Sequence, residues 1–184
     1  MESVYLTGRP ALDFAGTLRW RTSRCEDLLP SPAAFSAWAE RAGLVTEPVP
    51  VGADDFPRLI RLREAIYRLA TARLRAEPWG GCDLDVLNAA AAAPPVSIHL
   101  TEDGTLCRRG DSCAVGSVLA RDAIDLLGGV DARRIRECAG QGCTRLYVDH
   151  SRGATRRWCD MTECGNKSKA ASYRRRRATP GHLP

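Results

Sequence analysis

Four cysteines in the last third of the chain fall into two equal pairs, Cys138-Ala-Gly-Gln-Gly-Cys143 and Cys159-Asp-Met-Thr-Glu-Cys164, with fifteen residues between them. No other feature of the 184 residues restricts the fold as strongly. A CxxxxC turn brings two sulfurs together, and two such turns can close on one tetrahedral ion at about 2.3 Å. Gly140 and Gly142 suit the first turn. Two disulfides would satisfy the same spacing in an oxidising compartment. Met1 to Tyr5, however, lacks the basic start and apolar run of a secretory signal. A cytoplasmic location with reduced thiols is therefore expected. Cys138, Cys143, Cys159 and Cys164 are the expected ligands of one structural Zn2+. His150, between the pairs, is an alternative ligand.

The energetics of the segment point the same way. Residues 131–184 offer Leu146, Tyr147, Val148, Trp158 and little else that is apolar. That is too little for a self-sufficient core. Zinc held by four thiolates contributes folding free energy on the order of 10 kcal/mol. Between the pairs, Leu146 to Val148 and Arg156 to Trp158 read as two arms of a hairpin bent at Ser151-Arg152-Gly153. After Cys164 the pattern predicts a helix from about Asn166 to Arg177. Arg145, Arg156 and Arg157 are placed to offset the −2 charge of a zinc tetrathiolate.

Charge is distributed unevenly. The chain carries a net +5, yet residues 1–130 hold 14 basic and 17 acidic side chains, a net of −3. Residues 131–184 hold 13 and 5, a net of +8. Arg outnumbers Lys 25 to 2, an imbalance that looks like GC-rich codon usage, so position says more than arginine content. In the predicted helix, Lys167 and Arg174 share one face with Ala170 and Ala171 between them, and Lys169 and Arg176 share the next. Small side chains let a helix approach a groove while long basic ones reach phosphates. Arg156, Arg157, Asn166, Lys167, Lys169, Arg174, Arg175, Arg176 and Arg177 are the candidate DNA contacts, with Asn166 or Lys167 for base edges.

The first 130 residues read as mainly helical with a hairpin. Ser31-Pro32 is a cap followed by proline at the first helical position, and Phe35, Trp38, Ala39 and Ala42 recur at helical spacing before Gly43. Leu59, Leu62, Ile66 and Leu69 form the stripe of a helix from Asp55 to about Ala76, with the arginines, Arg63 among them, set mostly off it. Asp83 is a candidate cap for a helix through Leu87. Val96–Leu100 and Thr105–Arg109 flank Glu102-Asp103-Gly104 as a hairpin, and Val115, Leu119, Ala123 and Leu126 mark another helix. Val4 to Arg21 fits strand or helix. Cys25, Cys82, Cys107 and Cys113 are spaced irregularly and are expected as small core residues. Hydrophobic residues at 44% and charged residues at 27% are globular values, and no apolar run nears the roughly 20 residues of a membrane helix.

Arg136-Glu137-Cys138, Ser151-Arg152, Arg156-Arg157-Trp158-Cys159 and Cys164-Gly165-Asn166-Lys167, followed by a basic helix, strongly resemble the CGNR zinc finger over Arg134 to Arg177. Lys167 replaces the namesake arginine, which keeps the charge and loses a planar bidentate contact. Such fingers usually follow an ABATE domain, a module of stress-induced transcription regulators. Ala11-Leu12-Asp13-Phe14-Ala15-Gly16-Thr17-Leu18 is similar to the opening motif of that domain, with Gly16 where the pattern has Asn. The resemblance implies a bacterial DNA-binding regulator.

The expected architecture is α+β. Residues 1–130 form an ABATE-like sensor or dimerisation domain, and 131–184 a treble-clef-like four-cysteine finger with a basic tail. Expected partners are DNA, a small-molecule effector at the N-terminal domain and a second copy of the chain, with no membrane. A protein-interaction adaptor and a thiol/zinc redox sensor are the alternatives. No enzyme is expected. Asp149-His150-Ser151 is consecutive, so its side chains diverge, and phosphate-loop and dinucleotide glycine patterns are absent.

Overall fold

The computed structural model describes residues 6–170. The segment that fitted strand or helix is both. A short helix α1 (Pro10–Ala15) leads into β1 (Leu18–Arg19), which pairs antiparallel with β2 (Glu26–Asp27). Helix α2 (Pro32–Arg41) starts as its sequence predicts. The Ser31 hydroxyl accepts from the Ala34 N–H at 3.2 Å, Pro32 occupies the first turn, and Gly43 turns the chain away at φ +62°. Helix α3 (Asp55–Arg75) is the long amphipathic one, followed by α4 (Gly81–Ala92), the hairpin β3 (Ser97–Leu100) and β4 (Leu106–Arg109), and α5 (Ser112–Gly128). A 3-10 turn (Val130–Arg134) delivers the chain to β5 (Ile135–Glu137), which pairs with β6 (Leu146–Val148). A single π turn (Met161–Gly165) then runs into helical residues 166–170.

Helix α3 organises the core. Leu59, Leu62, Ile66 and Leu69 are all buried, packed with Leu12 and Phe14 of α1 and with Val115, Leu119 and Leu126 of α5. Burying each such side chain is worth roughly 2 kcal/mol. Phe14 also meets Phe35 edge-on, ring centres 5.9 Å apart, and lies 5.3 Å from Trp38. Residue Asp122 of α5 caps α1 from a distance. It accepts from the Ala11 N–H at 2.8 Å and pairs with Arg9 at 2.8 Å.

The same core extends past residue 130. Ile135, Leu146 and Val148 belong to it, while Tyr147, on the opposite face of β6, joins Cys138, Cys159 and Cys164 in a second cluster. Strand alternation thus gives the β5–β6 ribbon two duties. One face packs on the helices and the other on the sulfurs.

Four expectations change. Arg63 lies among the buried stripe, because Asp27 reaches it with both carboxylate oxygens at 2.7 and 2.9 Å and Glu64 adds a third contact at 3.0 Å. Helix α4 is led by Gly80, and Asp83 in its first turn binds Arg68 at 2.6 and 2.9 Å. The partner of β6 is β5, since the Cys138–Cys143 loop is itself the connection of that ribbon. Finally, Cys25, Cys82 and Cys113 are exposed and Cys107 half-buried. They sit in a loop, on an outer strand and in exposed first turns of helices, where no core exists to receive them.

Candidate metal centre

Three local devices bring the four sulfurs together. Cys138 follows β5, and its N–H donates to the Arg145 carbonyl at 3.0 Å, closing the ribbon around the knuckle. Within the knuckle the Cys143 N–H donates to the Gly140 carbonyl at 2.9 Å, and Gly142 takes φ +69°. Cys159 arrives on an irregular segment held by the Ala139 N–H on the Arg157 carbonyl at 2.8 Å. Cys164 sits in the π turn, whose start is capped by the Asp160 carboxylate accepting from the Thr162 and Glu163 N–H groups at 3.1 Å each.

All four Sγ atoms lie within 4.8 Å of one another. Cys143 and Cys159 are 3.9 Å apart, Cys159 and Cys164 3.7 Å. A tetrahedron with 2.3 Å metal–sulfur bonds has edges of about 3.8 Å. A disulfide needs about 2.05 Å, so the spacing fits a shared cation and not paired oxidation. Cys138 Sγ accepts N–H groups from Gly140 at 3.4 Å and Cys159 at 3.3 Å, the bonding a thiolate requires. His150 is not in the set, because its Nδ1 lies 3.0 Å from an Arg134 Nη1 on the exposed side.

The electrostatics show why protons alone do not satisfy this cluster. Hydrogen bonds from Cys143 and then Cys159 hold the Cys138 thiol down at about 2. Cys143, facing that thiolate, is pushed up to about 12, and burial first and the neighbouring sulfurs second push Cys164 up to about 12. Cys159, against both Cys138 and Cys143, is raised as well. Four thiolates packed this closely repel one another, and a dication would offset that repulsion. Zinc bound there would supply cross-linking of β5, the Cys159 segment and the π turn. Four sulfurs leave no coordination position for a substrate.

Among the described residues Arg145 is the one guanidinium against the sulfurs. It is buried, with Nη1 4.0 Å from Cys159 Sγ and 3.3 Å from Glu163 Oε2. Arg156 has a different part from the one expected of it. Its guanidinium lies over the Tyr147 ring and donates to the carbonyls of Leu6, Trp158 and Cys159, so it clamps the finger from within. Arg157 is exposed beside Trp158, 5.4 Å from the ring centre. The Asn166 amide donates to the Thr162 carbonyl at 3.2 Å. Lys167 is exposed with Nζ 3.5 Å from Glu163, and Lys169 is exposed too. Arg174, Arg175, Arg176 and Arg177 lie outside the described residues.

Sequence reasoning missed the loop between β1 and β2. Trp20 there is surrounded by cations, with Arg24 3.4 Å, Arg19 4.7 Å and Lys167 5.6 Å from its ring centre. The loop abuts the knuckle. The Arg21 N–H donates to Thr144 Oγ1 at 3.2 Å, Arg19 pairs with Glu163, and Trp20 lies beside Gly142. The only hint in the sequence is Arg19-Trp20-Arg21 itself, an aromatic between cations.

Family models match the chain in two stretches. Residues 134–177 match the CGNR zinc finger, and the four cysteines form its one structural zinc site. Residues 8–130 match ABATE, described as "Putative stress-induced transcription regulator". No curated protein matches the chain. Among the described residues no helix is long and apolar enough to cross a membrane. With about two thirds of its length matched by the one model and the finger by the other, the chain belongs to the ABATE family and carries a CGNR zinc finger.

Proposed function

We propose that the protein is a cytoplasmic DNA-binding transcription regulator whose zinc centre is structural and carries out no chemistry. The observation behind this reading is the cationic surface around the zinc-anchored turn. Arg157, Lys167 and Lys169 are exposed on the finger, and Arg24 of the β1–β2 loop shares the Trp20 ring with Lys167. Arg174 to Arg177 continue the same charge along the sequence. Cations fixed on a rigid scaffold suit a phosphate backbone, where position sets register and charge sets affinity. Association of two copies, which would place two fingers on two half-sites, belongs to the same reading.

Fluorescence anisotropy with labelled duplex DNA, titrated at several salt concentrations, tests it. Four or five phosphate contacts predict a log–log salt slope of about −4. Replacing Lys167 and Lys169 with Ala should lower that slope by about 2 while leaving zinc content unchanged. Binding that ignores salt, or no binding even at low salt, overturns the reading.

A further inference from the structure

The first halves of α3 and α5 and the second half of α4 border a half-open pocket of about 390 Å3, and none of its lining residues belongs to the zinc centre. That size falls in the range of small-molecule sites. Leu59 and Leu62 of α3 form its floor, and Val86, Ala89 and Ala90 of α4 form one wall. On the other wall Gly116 lacks a side chain where a Cβ would lie 3.2 Å from Leu59 Cδ2. The interior is therefore apolar.

Cations outnumber anions at the mouth. Arg58 and Arg61 border it, both exposed, and neither makes an ion pair or hydrogen bond among the described residues. Their neighbours on α3 differ, since Arg63 and Arg68 each hold an aspartate with two bonds. Asp55, also at the mouth, accepts from the Ser112 hydroxyl at 3.0 Å and makes no ion pair with either arginine. Two unpaired guanidinium groups above an apolar chamber match one class of ligand, because a carboxylate takes charge-assisted bonds from arginine while its body avoids water.

We propose that this cavity binds a small organic anion with an apolar body, an aromatic or short-chain carboxylate, its carboxylate at Arg58 and Arg61 and its body against Leu59 and Leu62. The site is independent of the DNA reading and stands or falls separately from it.

The test uses the full zinc-loaded chain and isothermal calorimetry with benzoate, indole-3-acetate and octanoate, each beside its uncharged amide. At least one carboxylate should bind, with its amide roughly tenfold weaker or worse. Arg58→Gln with Arg61→Gln should weaken the carboxylate by roughly tenfold and leave the amide unchanged. These are surface positions, so folding is retained. Ala90→Trp, checked for folding by circular dichroism, should fill the chamber and remove both. If none of the three carboxylates binds, if the arginine variant binds them undiminished, or if only an acidic peptide binds, the assignment fails.

Discussion

The Arg145 guanidinium lies 4.0 Å from the Cys159 sulfur, buried under the π turn that carries Cys164. A zinc tetrathiolate has a net charge of −2, and Glu163 beside it adds another negative charge at 3.3 Å from the same guanidinium. Arg145→Met should therefore leave a buried anionic cluster without its cation. Loss of one partner of a buried pair costs about 3 kcal/mol. Thermal unfolding should show that loss, and zinc transfer to a chromogenic chelator should speed up. A variant with unchanged stability and unchanged zinc transfer would refute the role of Arg145.

Metal removal should be felt by the whole described chain and not by the finger alone. Ile135, Leu146 and Val148 are finger-side residues by sequence but belong to the helical core. The Val148 N–H also donates to the Thr7 carbonyl at 2.9 Å, and Arg156 reaches the Leu6 carbonyl at 2.7 Å. Calorimetry with and without EDTA should show one transition displaced to lower temperature. A separate low-temperature transition, with the main one unmoved, would mean that the finger melts by itself. Metal analysis should give about one zinc per chain.

What could be read from the residues was local in origin. The cysteine spacing, the Ser31-Pro32 cap and the Leu59–Leu69 stripe each involve neighbours a few positions apart, and each forms as its pattern predicts. What escaped was contributed from far along the chain. Arg63 is buried because Asp27, 36 positions earlier, arrives to neutralise it, and helical spacing from Leu59 carries no sign of that. Trp20 meets Lys167 only because the β1–β2 loop folds onto the knuckle. The partner of β6 is hidden for a related reason. The nearer segment 156–158 lies closer along the fifteen-residue spacer, but the knuckle between Cys138 and Cys143 already supplies a ribbon turn. Zinc-ligand spacing was legible, whereas long-range ion pairing was not.

The Arg63–Asp27 pair gives a stability test of its own. Both Asp27 oxygens are bound by the Arg63 guanidinium, which is almost wholly enclosed. Burial, the largest single influence, acts to raise the Asp27 carboxyl, but the Arg63 hydrogen bonds, the Leu29 N–H and the charges of Arg63 and Arg21 together outweigh it and set the folded value below 3.8. Stability from this pair is present above the unfolded value and is lost as pH falls through the folded one. Asp27→Ala should cost about 2 kcal/mol in urea unfolding at neutral pH, because it leaves the buried Arg63 guanidinium with Glu64 alone. A loss under about 1 kcal/mol, as exposed pairs give, would show that solvent takes over the role of Asp27.

Asp13 predicts a pH slope of the opposite sign. Burial raises its carboxyl from 3.8 to about 7, against the Leu6 and Thr7 N–H groups that bind Oδ1 at 3.0 and 3.1 Å. Its Oδ2 is buried with no partner among the described residues. The folded chain thus keeps a proton that the unfolded chain has released. That contribution is complete below 3.8 and fades as pH rises toward about 7, by up to about 1.4 kcal/mol per pH unit. Asp13→Asn keeps the acceptor for both amides and removes the titration. Between about pH 5.5 and 7, with zinc in the buffer, the natural chain should lose roughly 1.5 kcal/mol more than the variant. Parallel pH curves for the two would remove Asp13 as the cause.

Gly140 and Gly142 stand two residues apart in the knuckle and should respond differently to alanine. At Gly142 the obstacle is backbone conformation, because φ is +69° and a Cβ would meet nothing closer than 3.7 Å. Gly142→Ala should cost about 1 kcal/mol of stability with zinc affinity nearly intact. At Gly140 the obstacle is the site itself, where a Cβ would lie 3.1 Å from Cys164 Sγ and 3.2 Å from Cys164 Cβ. A ligand sulfur cannot yield without lengthening or tilting its bond to the metal, so Gly140→Ala should lower metal affinity by roughly tenfold or more. Cobalt(II) substitution separates the two. The tetrahedral thiolate spectrum should be unaltered in Gly142→Ala and shifted or weakened in Gly140→Ala. If both variants keep the natural spectrum and affinity, the close approach of the knuckle to Cys164 does not constrain the metal.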